Sequence, residues 1–194
     1  MAIEIEKKYR LTREEREQLL RRLRQSGATP EGEEFEENTV YAGGRLDLSR
    51  QALRLRRVAG RAILTFKERF ESASAIKHQR EDETRVEDAD ALAAILDALG
   101  FKPALVYEKR RATWRLNNAE VVVDELPFGL FVEIEGEERA ITEVEELLGL
   151  GRAEAEPSTY PELAGLYGER RGEVIEARFG PMASESMARE PGAA

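Results

Sequence analysis

The chain contains no cysteine and a single histidine, His78, among its 194 residues. Disulfides, thiolate metal sites and a cysteine nucleophile are thereby excluded. One imidazole also excludes a histidine-rich metal site and leaves a Ser-His-Asp triad without support. No apolar run approaches the roughly 18 residues of a membrane-spanning helix. The opening MAIEIEKKYR alternates charged with apolar residues and holds no signal-peptide core, so a cytoplasmic protein is expected. An excess of basic charge is lacking too: 30 Lys and Arg stand against 39 Asp and Glu, a formal net charge of −9. That balance argues against nucleic acid or a membrane as partner and leaves room for a local basic site.

What is there is a charged, strand-rich chain of one domain's length, sufficient for a core of its own. Eight stretches read as strands, at 2–10, 35–42, 51–59, 61–69, 75–86, 103–115, 119–126 and 130–138. Ala59-Gly60, Asn117-Asn118 and Pro127-Phe128-Gly129 supply short hairpin connections suited to antiparallel pairing. A first helix follows Thr12, which has capping-box spacing to Glu15, and carries Leu19, Leu20 and Leu23 on one stripe. A second begins near Asp88, presents Leu92, Ile95, Leu96 and Leu99, and stops at Gly100. A third is expected to start at Thr142, again spaced for a capping box with Glu145, and a helical turn follows Tyr160-Pro161. From Gly180 the composition turns to GPMASESMAREPGAA, so a disordered tail over 180–194 is expected behind a domain of residues 1–179. The fold class is mainly β (α+β), with helices outside a large antiparallel sheet.

Side chains alternate between the two faces of a strand. Glu4, Glu6, Lys8 and Arg10 share a face opposite Ile3, Ile5 and Tyr9. The pattern recurs with Arg54 and Arg56, with Thr65 and Lys67, with Gln79, Glu81, Glu83 and Arg85, with Lys109 and Arg111, and with Glu133 and Glu135, while Asp124 ends the strand before. An open sheet with one solvated face would accommodate this. So would a closed barrel whose charged face lines the lumen. The clustering favours the barrel: the acids come as Glu-x-Glu three times and the bases as Arg-x-Arg or Lys-x-Arg twice. Seven acids (Glu4, Glu6, Glu81, Glu83, Asp124, Glu133, Glu135) face six bases (Lys8, Arg54, Arg56, Lys67, Lys109, Arg111). Burying so many ions costs several kcal/mol each unless they are well paired, which points to a ligand rather than to stability. All-oxygen carboxylate clusters suit Mg²⁺ or Mn²⁺, and convergent Arg and Lys suit phosphate oxygens. Together they describe a site for a metal-complexed polyphosphate.

The same residues carry a family resemblance. Glu4-Ile-Glu6-Lys-Lys8 resembles the Glu-x-Glu-x-Lys signature of the CYTH family, the triphosphate tunnel metalloenzymes, which include class IV adenylate cyclases, thiamine triphosphatases and inorganic triphosphatases. The likeness continues in order through ALRLRR at 52–57, LTFKER at 64–69, QREDE at 79–83, YEKRR at 107–111, VDELPFGLFVEIEG at 123–136 and STYPEL at 158–163. It implies an eight-stranded antiparallel β-barrel forming a tunnel, with helices packed outside. It implies that Glu4, Glu6, Asp124, Glu133 and Glu135 hold one or two divalent ions, Mg²⁺ or Mn²⁺, with Glu81 and Glu83 joining that shell. By the same resemblance Lys8, Arg54, Arg56, Lys67, Lys109 and Arg111 hold the triphosphate, and Glu4, Glu6 and Lys8 are the catalytic group. The expected partner is a small-molecule triphosphate, and the chain is expected to be a monomer or homodimer.

The chemistry divides within the family. A hydrolase needs only an activated water, whereas a cyclase must bring the 3′-oxygen of ATP to the α-phosphorus and expel pyrophosphate. The sequence reading favours a triphosphatase, with class IV adenylate cyclase as the alternative and a catalytically silent polyphosphate- or nucleotide-binding module as the third. Animal thiamine triphosphatases place a tryptophan before the Arg-x-Arg strand; here Gln51-Ala52 stands there and the single tryptophan is Trp114, which counts against thiamine triphosphate as the dedicated substrate. Tyr41-Ala42-Gly43 replaces an aromatic-Asp-Thr run of many members, and strand 2 supplies none of the expected site residues. His78 is expected to face a helix or solvent, Trp114, Phe66 and Phe131 to pack in the core, and Tyr160 to fasten its segment over the barrel.

Overall fold

The computed structural model describes residues 2–70 and 76–180; all but Gly180 of the tail expected over 180–194, and the first residue of the fifth expected strand, lie outside the described residues. Along the chain run β1 (Ala2–Leu11), α1 (Arg13–Gln25), β2 (Thr29–Gly43), β3 (Gln51–Val58), β4 (Arg61–Arg69), β5 (Lys77–Val86), α2 (Ala89–Ala98), β6 (Phe101–Leu116), β7 (Ala119–Leu126), β8 (Gly129–Glu135), α3 (Glu138–Leu148), α4 (Tyr160–Tyr167), β9 (Glu169–Arg171) and β10 (Val174–Ala177).

Strands β2-β3-β4-β5-β1-β8-β7-β6 are hydrogen-bonded in that order, all antiparallel, and β2 pairs with β6 to close an eight-stranded barrel. The closing seam runs from Thr29↔Arg115 to Gly43↔Phe101, with register shifts at Pro30/Gly32 and Val40/Tyr41. Its end demands glycine: a Cβ on Gly43 would stand 2.2 Å from the Gly100 carbonyl oxygen, at a φ of +127°. Closure matters for the site because an open edge would leave backbone groups unpaired and let water into the charged face. The β6 edge shared with β7 over residues 110–116 carries β10 in parallel over 105–107.

The outer, apolar face of the barrel is covered in patches. Helices α1 and α3 lay Leu19, Leu23, Ile141, Val144 and Leu148 on Tyr9, Val121, Val123, Val132 and Ile134. Helix α2 sets Leu96 on Tyr41, Leu55 and Ala62. Helix α4 packs elsewhere: it gathers Tyr160, Leu163 and Ala164 with Leu105, Tyr107, Leu126 and Phe131, which share strand faces with Lys109, Asp124 and Glu133, so it closes on the charged side of the sheet. Thr12 and Glu15 form the expected capping box, with Thr12 N–H donating to Glu15 Oε2 at 2.7 Å.

Three local expectations are corrected. Helix α3 begins four residues before Thr142; Thr142 lies inside it, where its hydroxyl donates to the Glu138 carbonyl at 3.0 Å, and Glu145 instead receives Lys7 Nζ at 2.5 Å. The apolar stripe of Ala140, Ile141, Val144 and Leu148, buried on the barrel, overrides the capping signal. Strand β2 starts six residues earlier than expected, because β6 offers it a continuous partner. The turn after Tyr160-Pro161 is a full helix with its own Thr159–Glu162 capping box, followed by the small strands β9 and β10 that the sequence did not announce.

Candidate active site: a charged tunnel

The charged faces of the strands meet inside the barrel around a cavity of about 780 Å³. Register decides which groups meet. Glu6 lies between Glu135 on β8 and Lys77 on β5, Lys8 lies opposite Glu133, and Glu4 lies opposite Gln79. Carboxylate oxygens of Glu4, Glu6 and Glu135 come within 4.8 Å of one another, close enough to hold a single cation. Three adjacent carboxylates repel, and their surroundings sort them. Burial, reinforced by the charges of Glu4, Glu133 and Glu6 and only partly offset by Arg111, pushes the Glu135 carboxyl up to about 8. Burial and a hydrogen bond with Glu4 push Glu81 up to about 7. For Glu4 burial acts in the same upward direction but is outweighed by Lys67, whose Nζ stands 2.7 Å away, and by hydrogen bonds from Glu81 and Gln79, so its carboxyl falls to about 2.

The other four expected metal ligands are engaged differently. Arg111 grips Asp124 in a fork, Nε to Oδ1 at 2.8 Å and Nη2 to Oδ2 at 2.7 Å, and reaches Glu133 at 2.8 Å. Tyr160 donates its hydroxyl to Asp124 at 2.8 Å. Glu83 accepts from Arg56 at 3.1 Å and from Thr65 at 3.0 Å, and Glu81 pairs with Lys67 at 3.3 Å. The structure therefore gathers Glu4, Glu6 and Glu135, sets Glu81 beside them, and places Asp124, Glu133 and Glu83 on cations.

The six expected phosphate-binding cations all reach the tunnel. Lys8 and Lys109 are buried, and their carboxylate partners are distant: Glu133 at 3.4 Å from Lys8, Glu36 and Asp124 each at 3.4 Å from Lys109. Arg54 has the Tyr107 hydroxyl at 3.5 Å, and its Nε finds no partner.

Sequence reasoning missed Glu36, Asn38 and Lys77. Glu36 is fully buried on β2; burial, which would raise its carboxyl, is outweighed by Lys109, Arg111, Arg56 and Arg54, and it is held well below the usual range. Asn38 donates to it at 3.2 Å. Lys77, also buried, stands 3.3 Å from Glu6. Glu36 and Asn38 share a strand face, and Lys77 continues the Gln79, Glu81, Glu83 alternation, so period two was the available signal. His78 faces outward to Glu138 of α3 at 3.0 Å, and Trp114 packs in the core beneath α1. Phe131 shares the face of Glu133 and packs its ring edge on Tyr160 at 5.4 Å.

The raised carboxyls give the site a pH signature. A divalent ion held by Glu4, Glu6 and Glu135 would have to displace the Glu135 proton below about pH 8, so on that assignment Mn²⁺ affinity is expected to rise about tenfold per unit from pH 6 towards 8 and then level. The metal-free fold follows the opposite trend. Between the ordinary 4.5 and about 8 the folded chain retains a proton that the unfolded chain has lost, so stability falls as pH rises through that window. Mn²⁺ titrations and thermal melts of chelator-treated protein check both; a pH-independent affinity would contradict the assignment of Glu135.

A sequence model of the CYTH domain matches residues 2–162, and the chain belongs to the CYTH domain family. It is similar in structure to the PH1012 protein of Pyrococcus horikoshii OT3, with 28% identity and a TM-score of 0.73 over 82% of this chain and 98% of that one. It also resembles a candidate adenylate cyclase of Vibrio parahaemolyticus (21% identity, TM-score 0.68, 84% of this chain and 98% of that one). A third likeness is to HpAC1 of Hippeastrum, a candidate adenylyl cyclase described as revealing a dominant triphosphatase activity (20% identity, TM-score 0.64, 84% and 94%). The latter two bear on the fold alone. No curated protein sequence matches this chain significantly. Among the described residues no helix is long and apolar enough to cross a membrane.

Proposed function

We propose that this chain is a divalent-metal-dependent triphosphate hydrolase that works on inorganic tripolyphosphate or a similar triphosphate inside its tunnel. The observation that carries the reading is a pair of unmatched ionisable groups. Among the described residues Glu135 has no cation within ion-pair distance and Arg54 has no carboxylate, although the other charged groups named above are paired. A cation at Glu135 and an anion at Arg54 complete the set, and a metal-complexed polyphosphate brings both. The donor set fits the metal: three carboxylates, oxygen only, within 4.8 Å, suit hard Mg²⁺ or Mn²⁺. When bound, such an ion supplies charge stabilisation on phosphate oxygens and activation of water.

The chain's own residues do the positioning. Glu4, Glu6 and Glu135 hold the ion, with Glu81 beside them. Arg54, Lys8 and Lys109 bind phosphate oxygens, and Arg56, Lys67 and Arg111 add charge in a lumen walled by protein, where it counts for more than in open solvent. Arg111 acts mainly by fixing Asp124 and Glu133.

A second reading is favoured by one observation. The same cavity is lined by Val40, Tyr41, Leu48, Ala104, Leu105 and Pro161, apolar surface that tripolyphosphate alone does not use. Class IV adenylate cyclase chemistry on ATP would use it. Incubation with ATP and Mg²⁺ separates the two: the hydrolase releases orthophosphate, whereas the cyclase forms cyclic AMP and pyrophosphate. Metal-dependent binding with no product from any triphosphate would leave a silent binding module.

A further inference from the structure

Lys8 and Lys109 are held in an unusual way for buried ammonium groups. Their carboxylate neighbours stand at 3.4 Å, longer than the roughly 2.7–2.9 Å of a charge-assisted hydrogen bond. The close bonds to Asp124 and Glu133 belong to Arg111 instead. What the two lysines share is the ring of Tyr160: Lys8 Nζ lies 4.1 Å and Lys109 Nζ 5.2 Å from its centroid, both within the roughly 6 Å of a cation–π contact. The ring cannot drift. Its hydroxyl is fixed on Asp124, Phe131 packs against it, and the Thr159–Glu162 capping box sets the first turn of α4.

An aromatic face holds a cation without cancelling its charge, as a carboxylate would. We infer that Tyr160 is a positioning residue of the phosphate site, its ring seating the ammonium groups of Lys8 and Lys109 so that their charge and spare N–H donors face the substrate's phosphate oxygens. The first turn of α4 is then a wall of the site as well as a cover on the barrel. This inference rests on the triphosphate reading above and assigns to that site a residue whose expected role was only to fasten its segment.

The test is tripolyphosphate affinity, measured calorimetrically on chelator-treated protein so that no turnover intervenes. Tyr160→Leu is expected to weaken binding about tenfold, the loss of two partly desolvated cation–π contacts, and Tyr160→Phe to recover most of it because the ring remains. If Tyr160→Leu does not fold, phenylalanines of increasing ring fluorination at position 160 keep the volume and withdraw electron density from the ring face. Affinity is expected to fall stepwise with fluorine content while the melting temperature holds. Tripolyphosphate affinity equal in the Leu and Phe variants, or flat across the fluorinated series, overturns the inference while leaving the triphosphate reading in place. Wild-type protein that binds no tripolyphosphate, in chelator or with added Mg²⁺, overturns both.

Discussion

Replacing Glu4 and Glu6 together by glutamine is expected to reduce triphosphate turnover about a thousandfold or more at saturating Mg²⁺ while leaving the fold intact. The two side chains supply two of the three carboxylates that converge within 4.8 Å, and a lone Glu135 cannot hold a hard divalent ion against water. Losing a metal's stabilisation of transition-state charge is worth several kcal/mol, hence the size of the effect. The fold survives because the change relieves repulsion among neighbouring acids. Lys67 keeps Glu81 at 3.3 Å, and Lys77, which loses the charge of Glu6, still faces an amide oxygen that can accept its hydrogen bond. Turnover and melting temperature, measured on the same preparation, decide the matter. Unchanged turnover would remove the metal assignment, and a collapsed melting temperature would mean that the carboxylates serve the barrel.

Arg54→Met is expected to separate binding from stability. The guanidinium is the tunnel cation without a carboxylate within ion-pair distance among the described residues, and its Nε lacks any partner. Removing a charge-assisted contact to phosphate costs about 1.5–3 kcal/mol, or roughly tenfold to a hundredfold in tripolyphosphate affinity. The half-buried guanidinium has only longer-range attraction to Glu36 and Glu81 to lose, and methionine fills the volume, so the metal-free melting temperature is expected to hold. Calorimetric titration beside a thermal melt checks both halves. Retained affinity with a lowered melting temperature would make Arg54 a structural residue.

Much of this site was legible because a strand's period of two is blind to everything but face. The alternation at Glu4, Glu6 and Lys8, at Arg54 and Arg56, and at Glu133 and Glu135 placed each group on the lumen side before any pairing was known. What a face cannot tell is which groups meet. Glu6 joins Glu135 because their strands pair in that register, and Asp124 is taken by Arg111 because β6 and β7 set the two directly opposite. No local pattern encodes those offsets. Glu36 carried the period-two signal with Asn38, but its partners Arg56 and Lys109 come from β3 and β6, and the β6 seam joins residues far apart in sequence. The start of α3 was misread because a capping pattern at Thr142 competes with an apolar stripe that matters only once the barrel is there to bury it.

The central claim, a metal-dependent triphosphate hydrolase, is tested most directly by following phosphate release from tripolyphosphate by the purified chain. The account predicts orthophosphate and pyrophosphate in equal amounts with Mg²⁺ or Mn²⁺, and none with chelator. Release that persists undiminished in chelator would contradict the claim, as would tripolyphosphate left intact by a protein that converts ATP to cyclic AMP.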